Sequence, residues 1–64
     1  MRHLTDTFIE LTDDEESLVR TNACWALGNL EDEGAVDALA ELAHEDPNED
    51  VRNRAAWAHA RIQR

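Results

Sequence analysis

Apolar residues return every three to four positions along most of this chain, and three short polar clusters interrupt them. That period is helical. Leu4, Phe8 and Leu11 fall at i, i+4 and i+7 and predict a first helix over residues 4–11. Thr12-Asp13-Asp14-Glu15 ends it. Asp13 or Asp14 is expected to N-cap the second helix, its carboxylate accepting from the free amides of the first turn. The second helix runs to about residue 30, with Val19, Ala23, Ala26, Leu27 and Leu30 on its inner face. Glu31-Asp32-Glu33-Gly34 is the next break, and Asp32 is the expected cap of a third helix over 33–44. That helix buries Val36, Leu39, Leu42 and Ala43. Asp46-Pro47-Asn48-Glu49 is the sharpest signal, with Asp46 as N-cap, Pro47 at N1 and Glu49 at N3 closing a capping box. The fourth helix then turns Val51, Ala55, Ala58 and Ile62 inward. Connections this short make consecutive helices antiparallel hairpins.

Composition agrees with an all-α chain. Ten alanines and seven leucines stand against two glycines and one proline in 64 residues. A chain of this length makes one small domain and has little room for a closed catalytic cavity. The single cysteine, Cys24, has no internal partner, so a reducing, cytoplasmic compartment is expected. No apolar run is long enough to cross a bilayer, and the first eleven residues lack the unbroken apolar stretch of a signal peptide.

Laid on itself, the chain repeats. At an offset of 32, Val19-Arg20-Thr21-Asn22-Ala23-Cys24-Trp25-Ala26 aligns with Val51-Arg52-Asn53-Arg54-Ala55-Ala56-Trp57-Ala58, Asp14 falls on Asp46, and Leu30 on Ile62. At an offset of 31, Phe8 falls on Leu39 and Leu11 on Leu42. A two-helix unit near this period is the mark of a stacked α-solenoid. The expected architecture is two stacked helical hairpins, residues 1–30 and 31–64, in a single domain. The matched residues, together with Leu27-Gly28-Asn29-Leu30, resemble HEAT repeats, in particular the short type named after phycobilisome lyases. His59-Ala60 departs from that pattern where the first copy has Leu27-Gly28. The resemblance implies a structural clamp in which Arg20 pairs with Asp14 and Arg52 with Asp46. A guanidinium bridges a carboxylate and free carbonyls at the adjoining turn, a bidentate task that lysine performs poorly. The small Ala23 and Ala55 let helix axes approach. Gly28, costly inside a helix, marks a crossing or a fraying end.

Candidate chemistry is sparse. The resembled family includes bilin lyase chains and the iron-dependent deoxyhypusine hydroxylases, which hold metal with His-Glu pairs after the Val-Arg element. Those positions here are Thr21-Asn22 and Asn53-Arg54, while His44-Glu45 lies at a helix end, where histidine complements the dipole. His3, His44 and His59 are scattered, and a metal needs three or four convergent ligands. Cys24 has no base spaced to activate it, and its counterpart Ala56 suggests only a need for small volume. The sequence therefore assigns no catalytic, cofactor-binding or metal-ligating residue. Trp25 and Trp57 lie about 120° from the centre of the apolar stripe. They either seal the groove between helices or, with Arg54 and Arg61, anchor a protein segment, since tryptophan and arginine dominate interface hot spots.

Charge refines the partner. All six bases are arginine, and acids outnumber them 15 to 6, a formal balance of −9. Nucleic acid and anionic membrane surfaces are therefore not the expected partners. Residues 1–50 hold all 15 acids and two arginines, a balance of −13, whereas 51–64 hold four arginines and no acid, a balance of +4. Asp50 is expected to reach Arg54 at i, i+4. The basic end is also suited to meeting the acidic front of another copy. High acid content without lysine fits a halophilic cytoplasm, where acidic surfaces stay soluble. The expected function is a non-catalytic protein-interaction module, binding a partner protein or itself as a homo-oligomer. The alternative is a small subunit or fragment of a HEAT-repeat enzyme, lyase-like or, less favoured, hydroxylase-like.

Overall fold

A computed structural model describes residues 3–64 as helices joined by short turns, with no strand among them. The order is α1 (Leu4–Leu11), α2 (Ser17–Leu30), one 3₁₀ turn (Glu33–Ala35), α3 (Val36–Glu45) and α4 (Glu49–Gln63). α1 packs on α2, α3 packs on α4, and α4 lies against α2 as well. The result is two helical hairpins stacked through their second helices, as the repeat predicted.

Both hairpins shape the turn into their second helix with an aspartate, and not as the cap reading expects. The α2 N-cap is Glu16, which makes no side-chain cap bond. Asp14 sits two residues earlier, its Oδ1 accepting from the Glu16 N–H at 2.9 Å. Asp46 repeats this on the Asn48 N–H, also at 2.9 Å. Asn48 then caps α4, its Oδ1 accepting from the N–H groups of Asp50 and Val51 at 2.8 and 3.2 Å. Proline pushes the residue before it out of the helical region, and Asp46 is accordingly extended. Pro47 thus precedes the cap rather than opening the helix, and both aspartates shape the turn ahead of it.

Asp32 behaves as predicted at the start of the third segment, its Oδ1 accepting from the Gly34 N–H at 2.8 Å. Its other oxygen accepts from the buried Thr5 hydroxyl at 2.9 Å, tying α1 to the connection between the hairpins. The segment opens as a 3₁₀ turn before α3 proper, which brings Ala35 to full burial. α2 ends at Glu31, a non-glycine residue in the left-handed region (φ 53°). Glycine is favoured there. Glu31 is held instead by its side chain, which accepts from Arg64 Nη2 at 3.1 Å and lies 3.8 Å from Arg61 Nη2.

The core is small and alanine-rich. Ala23, Cys24, Leu27, Ala35, Leu39, Val51, Ala55 and Ala58 are buried, and Phe8, Ile9, Leu42, Ala43 and Ile62 pack on its edge. The inner face of α2 differs from the single stripe read off the sequence. Cys24 and Gly28 are buried, and Leu30 is 41% exposed. α2 serves two neighbours, α1 and α4, so its buried arc is rotated toward the stacking side.

Gly28 is where α4 crosses in contact. A Cβ at this position would lie 2.6 Å from the Trp57 ring and 3.0 and 3.1 Å from Cβ and Cα of Ala58. Indole and backbone would both have to retreat. Gly28→Ala is therefore expected to destabilise the fold by about 1–3 kcal/mol in urea unfolding, although alanine is the better helix former by about 1 kcal/mol. A gain in stability would show that α4 does not approach this closely.

Candidate functional site

The most ordered polar cluster joins the two hairpins. Arg20 leaves the first turns of α2 and donates through Nη1 to the carbonyl oxygens of Asp14 and Glu15 at 2.8 and 2.9 Å. Its other edge forks onto Asp46, with Nε to Oδ2 at 2.7 Å and Nη2 to Oδ1 at 3.1 Å. The Asp46 side chain is 3% exposed and that of Arg20 13%. Arg52 repeats only the first half, donating through Nη1 to the Asp46 carbonyl at 2.7 Å. The clamp pairing implied by the resemblance is thus corrected. Arg20 bonds the backbone of Asp14 but the carboxylate of Asp46, one repeat onward, and Arg52 bonds Asp46 through its backbone alone. The reason is geometric: a planar fork satisfies its own loop with one edge and leaves the other for the neighbouring hairpin.

Burial pushes the Asp46 carboxyl up. The hydrogen bonds from Arg20 and the Asn48 N–H, with the charges of Arg20 and Arg52, outweigh it and hold the group below the ordinary carboxylate value. Asp32 is likewise held low, by the Gly34 N–H and the Thr5 hydroxyl.

A second cluster lies on the exposed side of the α2–α4 seam. Trp57 is 36% exposed, with one edge against Gly28. The guanidinium carbons of Arg54 and Arg61 stand 5.2 and 5.6 Å from its ring centroid. Both distances fall within the range for cation–π attraction. Arg61 Nε is buried without a hydrogen-bond partner. Beside the indole an open groove of about 460 Å³ is lined by Thr21, Asp50, Asn53, Arg54 and Trp57. The structure therefore brings together three of the four predicted binding residues and separates the fourth. Trp25 is 55% exposed and does not line that groove.

Asp50 and Arg54 face the same groove but form no ion pair among the described residues. Arg54 takes the indole face instead. Thr21, Asp50 and Asn53 were not singled out as groove residues in the sequence. Thr21 and Asn53 are equivalent positions in the repeat, so the offset of 32 was the available signal.

The remaining candidates are separate from both clusters. Cys24 is fully buried, and desolvation pushes its thiol up to about 11, the opposite of an activated nucleophile. Its counterpart Ala56 is exposed, so the two positions share small volume but not environment. Among the described residues no three His, Cys, Asp or Glu side chains converge as metal ligands. Nor is any helix among them long and apolar enough to cross a membrane.

Two outcomes follow from the clamp. Arg20→Ala removes a forked ion pair and two carbonyl bonds, whereas Arg52→Ala removes one carbonyl bond. The first is therefore expected to lower the urea midpoint clearly more than the second; equal losses would show that the Asp46 pairing contributes nothing. The low pKa of Asp46 sets the sign with pH. Its stabilisation is present above the unfolded carboxylate pKa, about 4, and is lost as pH falls through the lower folded-state value. Asp46→Asn is expected to be less stable than the parent at pH 7, the gap narrowing below pH of about 4 in acid titrations followed by circular dichroism.

Comparison with known proteins agrees with this architecture. A family model described as HEAT repeats matches residues 1–60. Epoxyqueuosine reductase of Bacillus subtilis is 41% identical over 44 residues, which is 69% of this chain and 11% of that protein. The chain spans about a tenth of the length of this relative. Two matching helix pairs, an arginine-to-loop bond that repeats with the same offset, and a family match over nearly the whole length lead to one conclusion: the chain belongs to the HEAT-repeat family.

Proposed function

We propose that this chain is a non-catalytic protein-interaction module and that its binding surface is the groove beside Trp57. The observation that carries the reading is the indole flanked by two guanidinium groups at 5.2 and 5.6 Å at the margin of an open groove. An aromatic face offers apolar area at low entropic cost, and arginines beside it select carboxylates. The matching ligand is an extended protein segment with an apolar side chain for the indole and an acidic group for Arg54 or Arg61. Nucleic acid is disfavoured by the acidic remainder of the molecule. The phycobilisome-lyase-type subclass, a cytoplasmic location and adaptation to high salt belong to the same reading, supported by the Val-Arg motifs, the lone thiol and the lysine-free acidic composition.

A second reading has one specific support. Similarity to a short stretch of epoxyqueuosine reductase fits a HEAT segment that accompanies an enzyme. The segment itself would still bind rather than catalyse.

Trp57→Ala is a poor test, because the indole also packs on Gly28. Arg54 is the better one. A photo-crosslinking residue at Asn53 is expected to capture a discrete protein from native extract. Arg54→Glu is expected to cut that yield about tenfold or more, the scale of a hot-spot loss, with a far smaller fall in thermal melt than Trp57→Ala causes. Stoichiometric iron in the purified protein, or turnover by it, would overturn the non-catalytic reading.

A further inference from the structure

We propose that the open face of α4 receives the first hairpin of a second copy of this chain, head to tail, with the incoming Asp14 closing on Arg52. This surface is centred on other residues of α4 than Trp57 and Arg54 and meets the groove beside Trp57 only at Asn53, the counterpart of Thr21.

The argument starts from the face that α2 turns to α4. Arg20, Cys24, Leu27, Gly28 and Glu31 meet the second hairpin, through the Asp46 carboxylate, the core, the Trp57 ring and the two C-terminal arginines. The offset of 32 maps these residues onto Arg52, Ala56, His59, Ala60 and Gln63. In the first set Cys24, Leu27 and Gly28 are buried. In the second Ala56, Ala60 and Gln63 are exposed and His59 is half-buried. The second hairpin thus carries an uncovered version of the face with which the first receives its neighbour.

Arg52 shows what is missing. It makes the own-loop bond that Arg20 makes, but neither it nor Asp14 forms an ion pair among the described residues. The absent group is a carboxylate fixed in the turn before a second helix. Asp14 is that group, braced by the Glu16 N–H as Asp46 is by the Asn48 N–H. Further along α4, from one turn past Arg52, a depression of about 320 Å³ between α3 and α4 is lined by Ala40, Ala43, His44, Ala56 and His59. On the incoming side Leu4 and Trp25 are 56% and 55% exposed. They stand where Ala35 and Trp57 stand one repeat onward. Charge is complementary too, +4 over residues 51–64 against −13 over 1–50.

Two contacts are not reproduced: the ion pairs of Glu31 with Arg61 and Arg64 map onto Gln63 facing Asn29 and Asp32, and the glycine under the indole maps onto Ala60. Trp57 rests on a glycine that has no room for a Cβ, whereas a docked Trp25 meets Ala60. The second copy therefore sits further out than the internal stack, and the interface is weaker. Because tail meets head, the contact is heterologous, and growth continues past two copies unless the rotation closes a ring.

Sedimentation of the full chain over a wide concentration range tests this, in about 1 M KCl to screen like-charge repulsion. The average mass is expected to rise beyond that of a dimer. Arg52→Glu and Asp14→Arg are each expected to weaken association about tenfold or more. Mixing these two variants is expected to restore it, one supplying a reversed tail and the other a reversed head. Ala60→Gly, which leaves the clamp intact, is expected to strengthen association. A monomer at every concentration, a dimer that grows no further, a mixture that does not recover, or unchanged association in Ala60→Gly would overturn the proposal.

Discussion

A single guanidinium ties the two halves of this molecule together. Arg20 satisfies two carbonyls of its own loop and, with its opposite edge, a nearly buried carboxylate of the next hairpin. Charge-assisted, forked bonds of this kind carry geometry as well as energy. They fix the distance and the angle between hairpins at one end of the stack, while Glu31 with Arg61 and Arg64 does so at the other. Between these polar ends lies a core of alanines, one cysteine and a few larger aliphatic side chains, whose contacts alone are nearly smooth. Register in such a core has to come from somewhere else, and directional polar contacts supply it.

Small side chains are the counterpart of that clamp. Ala23, Ala55, Ala58 and Gly28 are buried where helices cross, and the indole of Trp57 lies in the space that Gly28 leaves open. A large aromatic ring is thereby half inside and half outside. It stabilises the seam with one edge and presents the other, flanked by arginines, to solvent. One residue links packing to binding, which is why stability and recognition are best separated at Arg54.

Electrostatics gives the stack a direction. The acids gather toward the front and the arginines end the chain, so the two stacking faces are unlike. Arg20 is fully engaged and Arg52 half engaged for the same reason: each repeat offers its guanidinium forward and its turn aspartate backward. A polar arrangement of this sort propagates in one sense only, the defining property of a solenoid.

Much of this was legible without coordinates. Helical period, polar breaks and the offset of 32 determined the four helices and their pairing, because these depend on local spacing and on duplication within one chain, and the resemblance to HEAT repeats pointed to the clamp residues. The cost of glycine inside a helix left Gly28 as either a crossing or a fraying end, and the approach of Trp57 and Ala58 decided for the crossing. The pairings were decided by tertiary structure. The family resemblance suggested Arg20 with Asp14, and i, i+4 spacing suggested Asp50 with Arg54. Stacking brought Asp46 within reach of Arg20, and the Trp57 face drew Arg54 away, since a long, freely rotating side chain goes to whichever partner the folded neighbours bring closest. The cap of α4 moved for a related reason. An aspartate before a proline is held extended and shapes the turn, leaving Asn48, two residues on, to meet the free amides of α4.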